Sequence, residues 1–367
     1  MSLALAMSAC GTWDIGHMTP AEIAYTLEAR GVDAEQVVLP YWLSPEMRDW
    51  ARKSAPRGVR DIEKLYRLRD HLLDKDQMSL EYSWGYTGTA VEAFRERRAN
   101  CLAFTYLFVG MAREVGVRVH FLAVDKVESY RRRGDLVVVS DHIAVGFGDA
   151  GQRKIFDFSQ GPEDDLRFVR KISDLAAIAM FHSNKGAEAL QMGKQDEAVR
   201  WLRLAVGIDP GLASAWVNLG VALRRGGQLE DAEMAYKRAL ESDPSLHSAY
   251  QNLASLLRSE GRIDEAIAYE QALAETPTRN PYTFLSLGDI SLASGRLADA
   301  ERFYRRAVQL NDNDPEVFAA LGQLAIANGK DRLAHRMLKR ARKSVPAAWS
   351  QRSGRLERLE NALRFDG

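Results

Sequence analysis

Ala213-Ser214-Ala215-Trp216-Val217-Asn218-Leu219-Gly220-Val221-Ala222-Leu223-Arg224-Arg225-Gly226-Gly227 reads as an apolar helix with a basic end and a glycine stop, and its pattern returns every 34 residues from Ala179 onward. Pro210, Pro244 and Pro346 lie at multiples of that interval. In windows beginning at Ala179, Ala213, His247, Pro281 and Pro315, the eighth position is Gly186, Gly220, Ala254, Gly288 and Gly322. The twentieth is Ala198, Ala232, Ala266, Ala300 and Ala334, and the twenty-seventh is Ala205, Ala239, Leu273, Ala307 and Ala341. Small side chains therefore recur where two helices have to touch. Trp216, Tyr250, Phe284 and Phe318 at the fourth position, with Leu219, Leu253, Leu287 and Leu321 at the seventh, supply an apolar ridge. Each window is a helical hairpin that cannot bury this ridge alone, so stacking stabilises the set and leaves a concave groove.

This pattern resembles a tetratricopeptide repeat array of five repeats over residues 179–348. The first repeat is the weakest, with His182 and Lys185 at ridge positions, so its face is expected to dock on the N-terminal half. Residues 349–367 read as a polar-faced capping helix, which terminal repeats need. Grooves of this family bind peptides. The sixth position carries Asn184, Asn218 and Asn252, whose amides offer both a donor and an acceptor to an extended backbone. Arg224 and Arg258, at the twelfth position, could add contacts to a carboxylate. The bland alternative for all five is a solvated helix face.

The remaining length suffices for a second domain with its own core. Fifty basic residues balance fifty acidic ones, which makes nucleic acid a poor partner. The run Arg131-Arg132-Arg133 before Gly134 reads as a solvated hairpin tip. The two cysteines form no disulfide framework. Cys10 ends a short apolar stretch with small residues before it, which resembles the end of a bacterial lipoprotein signal. Lipidation there would place the protein in the bacterial cell envelope, facing the periplasm. Without it, the cytoplasm is expected. No segment has the length and apolarity of a transmembrane helix, so contact with a membrane would run through that one anchor.

Cys101 carries the chemistry. Asn100 is a good N-cap, so the cysteine falls in the first turn of a helix running to about Val115, where Gly116 ends it. A helix N-terminus favours negative charge, and thiols placed there gain thiolate character. The following residues, Leu102 to Ala112, are apolar nearly all round and predict a helix buried against a sheet. Strand-like runs follow over residues 117–124, 135–147 and 153–159, suggesting an antiparallel meander. A hairpin tip at Ala150-Gly151 sets Ala144 opposite Asp157 and makes His142 and Asp157 diagonal neighbours on one face. A one-residue bulge would break that register.

Residues 89–159 resemble the transglutaminase-like superfamily, papain-like in architecture. Asn100-Cys101-Leu102 leading into Leu107-Phe108-Val109 looks like its nucleophile helix, and Asp141-His142-Ile143-Ala144-Val145 and Ile155-Phe156-Asp157-Phe158 look like its histidine and aspartate strands. The resemblance implies Cys101 as nucleophile, His142 as general base and acid, and Asp157 as the group orienting the imidazole. The Cys101 amide and a group from the Trp84 loop are the candidate oxyanion donors. Ala144 departs from the aromatic residue the family often has there.

The chain is thus expected to be an α+β transglutaminase-like domain followed by an all-α repeat solenoid. Residues 1–17 form a signal remnant and linker, 18–178 the first domain, 179–348 the repeats and 349–367 the cap. The leading function is cysteine-dependent amide hydrolysis or acyl transfer, with a protein or peptide held in the groove. The alternative is a non-enzymatic, membrane-tethered scaffold. No cofactor is implied, and the seven histidines show no metal-ligand spacing such as His-Glu-x-x-His.

Overall fold

A computed structural model describes residues 17–83, 87–124, 131–133, 136–138, 142–148, 153–158, 169–275, 281–344 and 354–363. Two compact units make up the chain. One joins Met1–Lys126 with Asp141–Leu212, and the other joins Val127–Ser140 with Ala213–Gly367.

The first unit opens with α1 (Pro20–Ala29), held by a capping box between Thr19 and Glu22. Next come α2 (Pro45–Ser54), capped by Ser44, and α3 (Asp61–Leu73). Strand β1 (Glu81–Tyr82) precedes α4 (Ala90–Glu96), where Thr89 and Glu92 form the capping box that their spacing predicts. Strand β2 (Arg98–Ala99) pairs in parallel with β1 and leads directly into α5 (Cys101–Glu114). Every residue of α5 from Leu102 to Ala112 is buried. The helix packs on α2, α3 and α4 and on the sheet strands β3 (Val119–Val124) and, further on, β6 (Ile143–Phe147). Full burial of Leu107 and Phe108 contributes about 1.5–3 kcal/mol each. Gly116 ends the helix at φ +79°, a left-handed conformation that side chains with a Cβ rarely adopt.

Between β3 and β6 lie β4 (Arg131–Arg133) and β5 (Leu136–Val138), which pair with each other. After β6 come β7 (Lys154–Phe156) and β8 (Val169–Ile172). The main sheet has the order β7-β6-β3-β8, antiparallel throughout. Two expectations change here. Residues 135–147, expected as one strand, are divided between β5 and β6 in different sheets, because β5 pairs locally with β4. The pairing partner on the free edge of β3 is β8, whose Val169-Arg170-Lys171-Ile172 alternation is too short to stand out in the sequence.

Ser173 caps α6 (Asp174–Gln191), which with α7 (Gln195–Ile208) forms the first helical hairpin. That hairpin belongs to the first unit and is fastened to it by polar contacts. Tyr106 donates to the Ala177 carbonyl at 2.8 Å, and Arg113 grips Asp174 through two bonds of 2.9 and 2.8 Å. The amide of Val38 donates to His182 Nε2 at 3.3 Å, and that of Thr87 to Glu188 at 2.6 Å.

The second unit carries the paired helices α8 (Ala213–Arg225) and α9 (Leu229–Ser242), then α10 (His247–Ser259) and α11 (Ile263–Glu275). It continues with α12 (Pro281–Ala293) and α13 (Leu297–Leu310), then α14 (Pro315–Ala327) and α15 (Asp331–Ser344). The first helices of successive pairs also touch: α8 meets α10, α10 meets α12, and α12 meets α14. A Cβ on Gly220 or Gly288 would overlap the ring of Tyr236 or Tyr304, which explains the small residue at that position of the repeat. Finally α16 (Gly354–Ala362) buries Leu356 and Leu359, with Leu363 just after it, in the cluster it forms with α14 and α15. Two of its polar residues also point inward. Arg355 and Glu360 are buried, Arg355 against Asp289 and Glu316 and Glu360 against Arg342.

Candidate active site

Three elements bring the chemistry together. At the start of α5, Asn100 Oδ1 accepts from the amide of Ala103 at 2.9 Å, while its Nδ2 donates to Thr87 Oγ1 at 3.0 Å. Both ends of this cap are buried, so the first turn of the helix is fixed. Cys101 then stands half-buried on that turn.

The second element is the hairpin of β6 and β7. Its register places Val145 opposite Phe156, Gly146 opposite Ile155 and Phe147 opposite Lys154, as a tip at Ala150-Gly151 requires. The tip residues lie outside the described residues. One step beyond the paired region, His142 Nε2 lies 3.0 Å from Asp157 Oδ1, with only 14% and 12% of the two side chains exposed. The main chain is pinned at the histidine and the residue after it: the His142 carbonyl accepts from Val124 at 3.1 Å, and the Ile143 carbonyl accepts from Thr105 of α5 at 3.2 Å. Phe158 stacks on Phe104 at 3.9 Å between centroids, holding the chain beside Asp157 against the helix that carries Cys101.

Electrostatics join the three groups. Burial alone would depress the His142 imidazole, yet hydrogen bonds to Asp157 and Cys101 and their charges raise it to about 9. Nε2 faces Asp157, which leaves Nδ1 for the sulfur. The imidazolium form therefore persists at neutral pH.

The third element is β1, which sequence reasoning passed over. Tyr82 pairs with Ala99, and the amide of Ser83 donates to the Ala99 carbonyl at 2.9 Å, so the tyrosine is locked beside the helix start. Its hydroxyl is hydrogen-bonded to the Cys101 side chain and accepts from the Cys101 amide. Burial, with the nearby charges of Cys101 and Asp157, pushes the phenol upward and keeps it protonated. The one signal in the sequence was Tyr82 at the head of the aromatic loop before the thiol. The loop around Trp84, expected to supply an oxyanion donor, includes Tyr82, while Trp84 itself lies outside the described residues, as does Cys10.

The groove candidates separate. Asn218 and Asn252 are fully buried on the adjacent helices α8 and α10, and Arg224 of α8 donates to Ser255 of α10 at 3.1 Å. Arg258 forms a two-pronged pair with the buried Glu270 at 2.7 and 2.8 Å. Asn184 belongs to the first unit, buried on α6. Among the described residues no cluster of His, Cys, Asp or Glu could hold a metal ion, and no helix is long and apolar enough to cross a membrane.

Residues 48–133 match the profile of the transglutaminase-like superfamily; the match includes Cys101 and ends before His142 and Asp157. Tetratricopeptide repeat profiles match residues 183–247, 217–281, 257–324 and 291–351. No protein of curated function matches the chain. Similar solved structures include pilF of Pseudomonas aeruginosa, 24% identical over 51% of this chain and 83% of that one, with a TM-score of 0.43. TTC0263, a thermophilic TPR protein of Thermus thermophilus, is 19% identical over 51% of this chain and 99% of that one, with a TM-score of 0.43. YrrB, described as a TPR protein with an unusual peptide-binding site, is 15% identical over 50% and 92%, with a TM-score of 0.35. By its family matches the chain carries a domain of the transglutaminase-like superfamily over residues 48–133 and tetratricopeptide repeats over residues 183–351.

Proposed function

We propose that Cys101, His142 and Asp157 form a thiol triad for amide hydrolysis or acyl transfer, acting on a protein or peptide recruited by the repeats. The observation that carries this reading is the His142–Asp157 bond of 3.0 Å on a histidine also bonded to Cys101. In the first step Cys101 Sγ attacks the substrate carbonyl carbon. The amide C–N bond then breaks, and the His142 imidazolium gives its proton to the leaving amine. The resulting thioester is opened by water or by a second amine, whose proton His142 takes back. Asp157 holds the imidazole with Nδ1 toward the sulfur. The hydroxyl of Tyr82, beside the sulfur, is the proposed donor to the carbonyl oxygen as it gathers charge, and the amide of Cys101 would have to release Tyr82 to join it.

Incubation with casein, with and without a fluorescent primary amine, tests the reading. Released peptides indicate hydrolysis, amine incorporation indicates transfer, and Cys101→Ala should abolish whichever occurs. Equal signals from both proteins would leave a scaffold role as the better account. Tyr82→Phe should lower kcat by roughly 10²–10³-fold with KM little changed; an unaltered kcat would remove Tyr82 from the chemistry.

For the repeats, the proposed peptide contacts are Asn184, Asn218, Asn252, Arg224 and Arg258. Lipidation of Cys10, with the protein facing the periplasm of a bacterial envelope, is the proposed location. A diacylglyceryl mass on the N-terminal fragment from native membranes would support it, and an unmodified Met1 would reject it.

A further inference from the structure

The first repeat departs from the others at a position that should be apolar. At the tenth residue of the 34-residue windows the later repeats carry Ala222, Leu256, Ile290 and Leu324, whereas the first carries Glu188. Ala222, Leu256 and Leu324 are buried, as an inward helix face requires. A carboxylate in such a place persists only with partners, and the Glu188 side chain, 12% exposed, meets one on each oxygen. Its Oε1 accepts from the amide of Thr87 at 2.6 Å, and Lys185 Nζ lies 3.6 Å from its Oε2. Lys185 is a departure too, since the seventh position is Leu219, Leu253, Leu287 and Leu321 in the other repeats.

From Thr87 the bonds lead to the thiol. Thr87 is 2% exposed, and its hydroxyl accepts from Asn100 Nδ2 at 3.0 Å. Asn100 Oδ1 in turn accepts from the amide of Ala103 at 2.9 Å, the cap that starts α5 one residue before Cys101. With Thr87 gripped at its amide, Asn100 keeps one orientation, its nitrogen on Thr87 and its oxygen over the helix end. That cap decides where the sulfur stands and how strongly the helix end favours a thiolate. Glu188, Thr87, Asn100 and Cys101 all belong to the first unit.

We propose that Glu188 is a positioning residue for Cys101: by holding Thr87 it orients Asn100 and fixes the first turn of α5, which makes the first repeat a working part of the thiol site. The inference rests on the reading of Cys101 as nucleophile and adds to it a residue contributed by the repeat hairpin. Glu188 acts through two intermediaries. Placing a reacting atom to within about half an ångström is what such a buried chain of hydrogen bonds supplies. Loss of the carboxylate leaves the Thr87 amide buried without its acceptor, and Thr87 and Asn100 then shift to find others.

The test is the rate at which iodoacetamide alkylates Cys101 in the full-length protein between pH 5 and 9, read from the mass of the peptide that carries it. Glu188→Leu installs the residue that two later repeats have at this position, so a role in packing the repeat alone predicts no change at the thiol. Positioning predicts a rate at pH 7 roughly tenfold lower, with the thiolate titration moved up by about one pH unit. Glu188→Gln keeps an oxygen for the Thr87 amide and should alkylate close to the wild-type rate. Thr87→Val leaves the bond to Glu188 and removes the acceptor for Asn100, so it should match Glu188→Leu, and it serves if the leucine variant does not fold. On casein, kcat of the slow variants should fall in the same ratio with KM unchanged. Wild-type profiles for Glu188→Leu or Thr87→Val would overturn the positioning role while leaving the triad in place, as would a Glu188→Gln as slow as Glu188→Leu. A wild-type thiol that titrates at the ordinary value of about 8.5 would overturn the triad and the positioning role together.

Discussion

The first and last helical hairpins of the repeats are closed in different ways. α6 rests on a folded domain, with the Tyr106 hydroxyl on its backbone and Arg113 bound to Asp174 at its first residue. α14 and α15 are closed by a single helix, α16, which with Leu363 just after it inserts three leucines and two buried charged residues. The ridge position responds accordingly. It is His182 in the first repeat, where a domain supplies the packing surface, and Phe318 in the last, where the repeat ridge itself has to be covered. An end backed by a domain can lose its repeat signature, and an end backed by one helix keeps it.

Three substitutions probe this contrast. The largest effect is expected at the domain-backed end. Asp174→Ala strands the Arg113 guanidinium, whose side chain is only 10% exposed, and also removes the acceptor for Met18 and Tyr41. Breaking a buried pair from one side costs about 3–5 kcal/mol. Urea unfolding followed by the tryptophans of the first unit should show it, and a loss below about 1 kcal/mol would mean this end is held by apolar packing instead.

Arg355→Ala at the other end should cost less, about 1.5–3 kcal/mol for hydrogen bonds to charged groups. Its partners Asp289 and Glu316 are 22% and 25% exposed and regain water when the arginine is gone. Hydrogen exchange confined to α16 and its neighbours would register the change. A global loss as large as that of Asp174→Ala would erase the distinction between the ends.

The smallest effect at neutral pH belongs to His182→Phe, which restores a repeat-like aromatic. It removes the bonds to Val38 and Ile178, at about 1 kcal/mol. Burial holds His182 down to about 4, so the neutral ring is the folded form. Its contribution is complete above the ordinary histidine range and declines as pH falls from about 6.5 toward 4. The phenylalanine variant should lose that part of the acid sensitivity. Identical stability-against-pH curves between pH 4 and 7 would show that His182 is not the group responsible.

The repeats were legible because every unit repeats the same spatial problem, so Gly220 and Gly288 announce a ring that they have to admit. The helix that carries Cys101 was legible for a local reason: Asn100 caps three residues ahead, and the burial of Leu102 to Ala112 follows from composition. The His142–Asp157 pairing came from register arithmetic, which works for a hairpin with a short loop. What stayed hidden depends on distant partners. Tyr82 reaches Cys101 only through the pairing of two very short strands, and β8 finds β3 across a long stretch of sequence. Arg355 and Glu360 read as solvent-facing, because nothing local reveals that Asp289 and Arg342 wait for them.

Ile172 ends the edge strand of the sheet, Ser173 caps the next helix, and Asp174 begins it. Sheet and helical hairpin are thus joined through one residue, and that residue's hydroxyl is bonded to the amide of Ala176 at 3.1 Å. Dissection of the protein has to respect this seam. A fragment cut where the repeat pattern begins would split α6 after Ile178 and part Phe181 from Tyr106, whereas one ending at Leu212 keeps the compact unit closed. A protease probing for a way between sheet and helix would meet a paired strand on one side of Ser173 and a capped turn on the other.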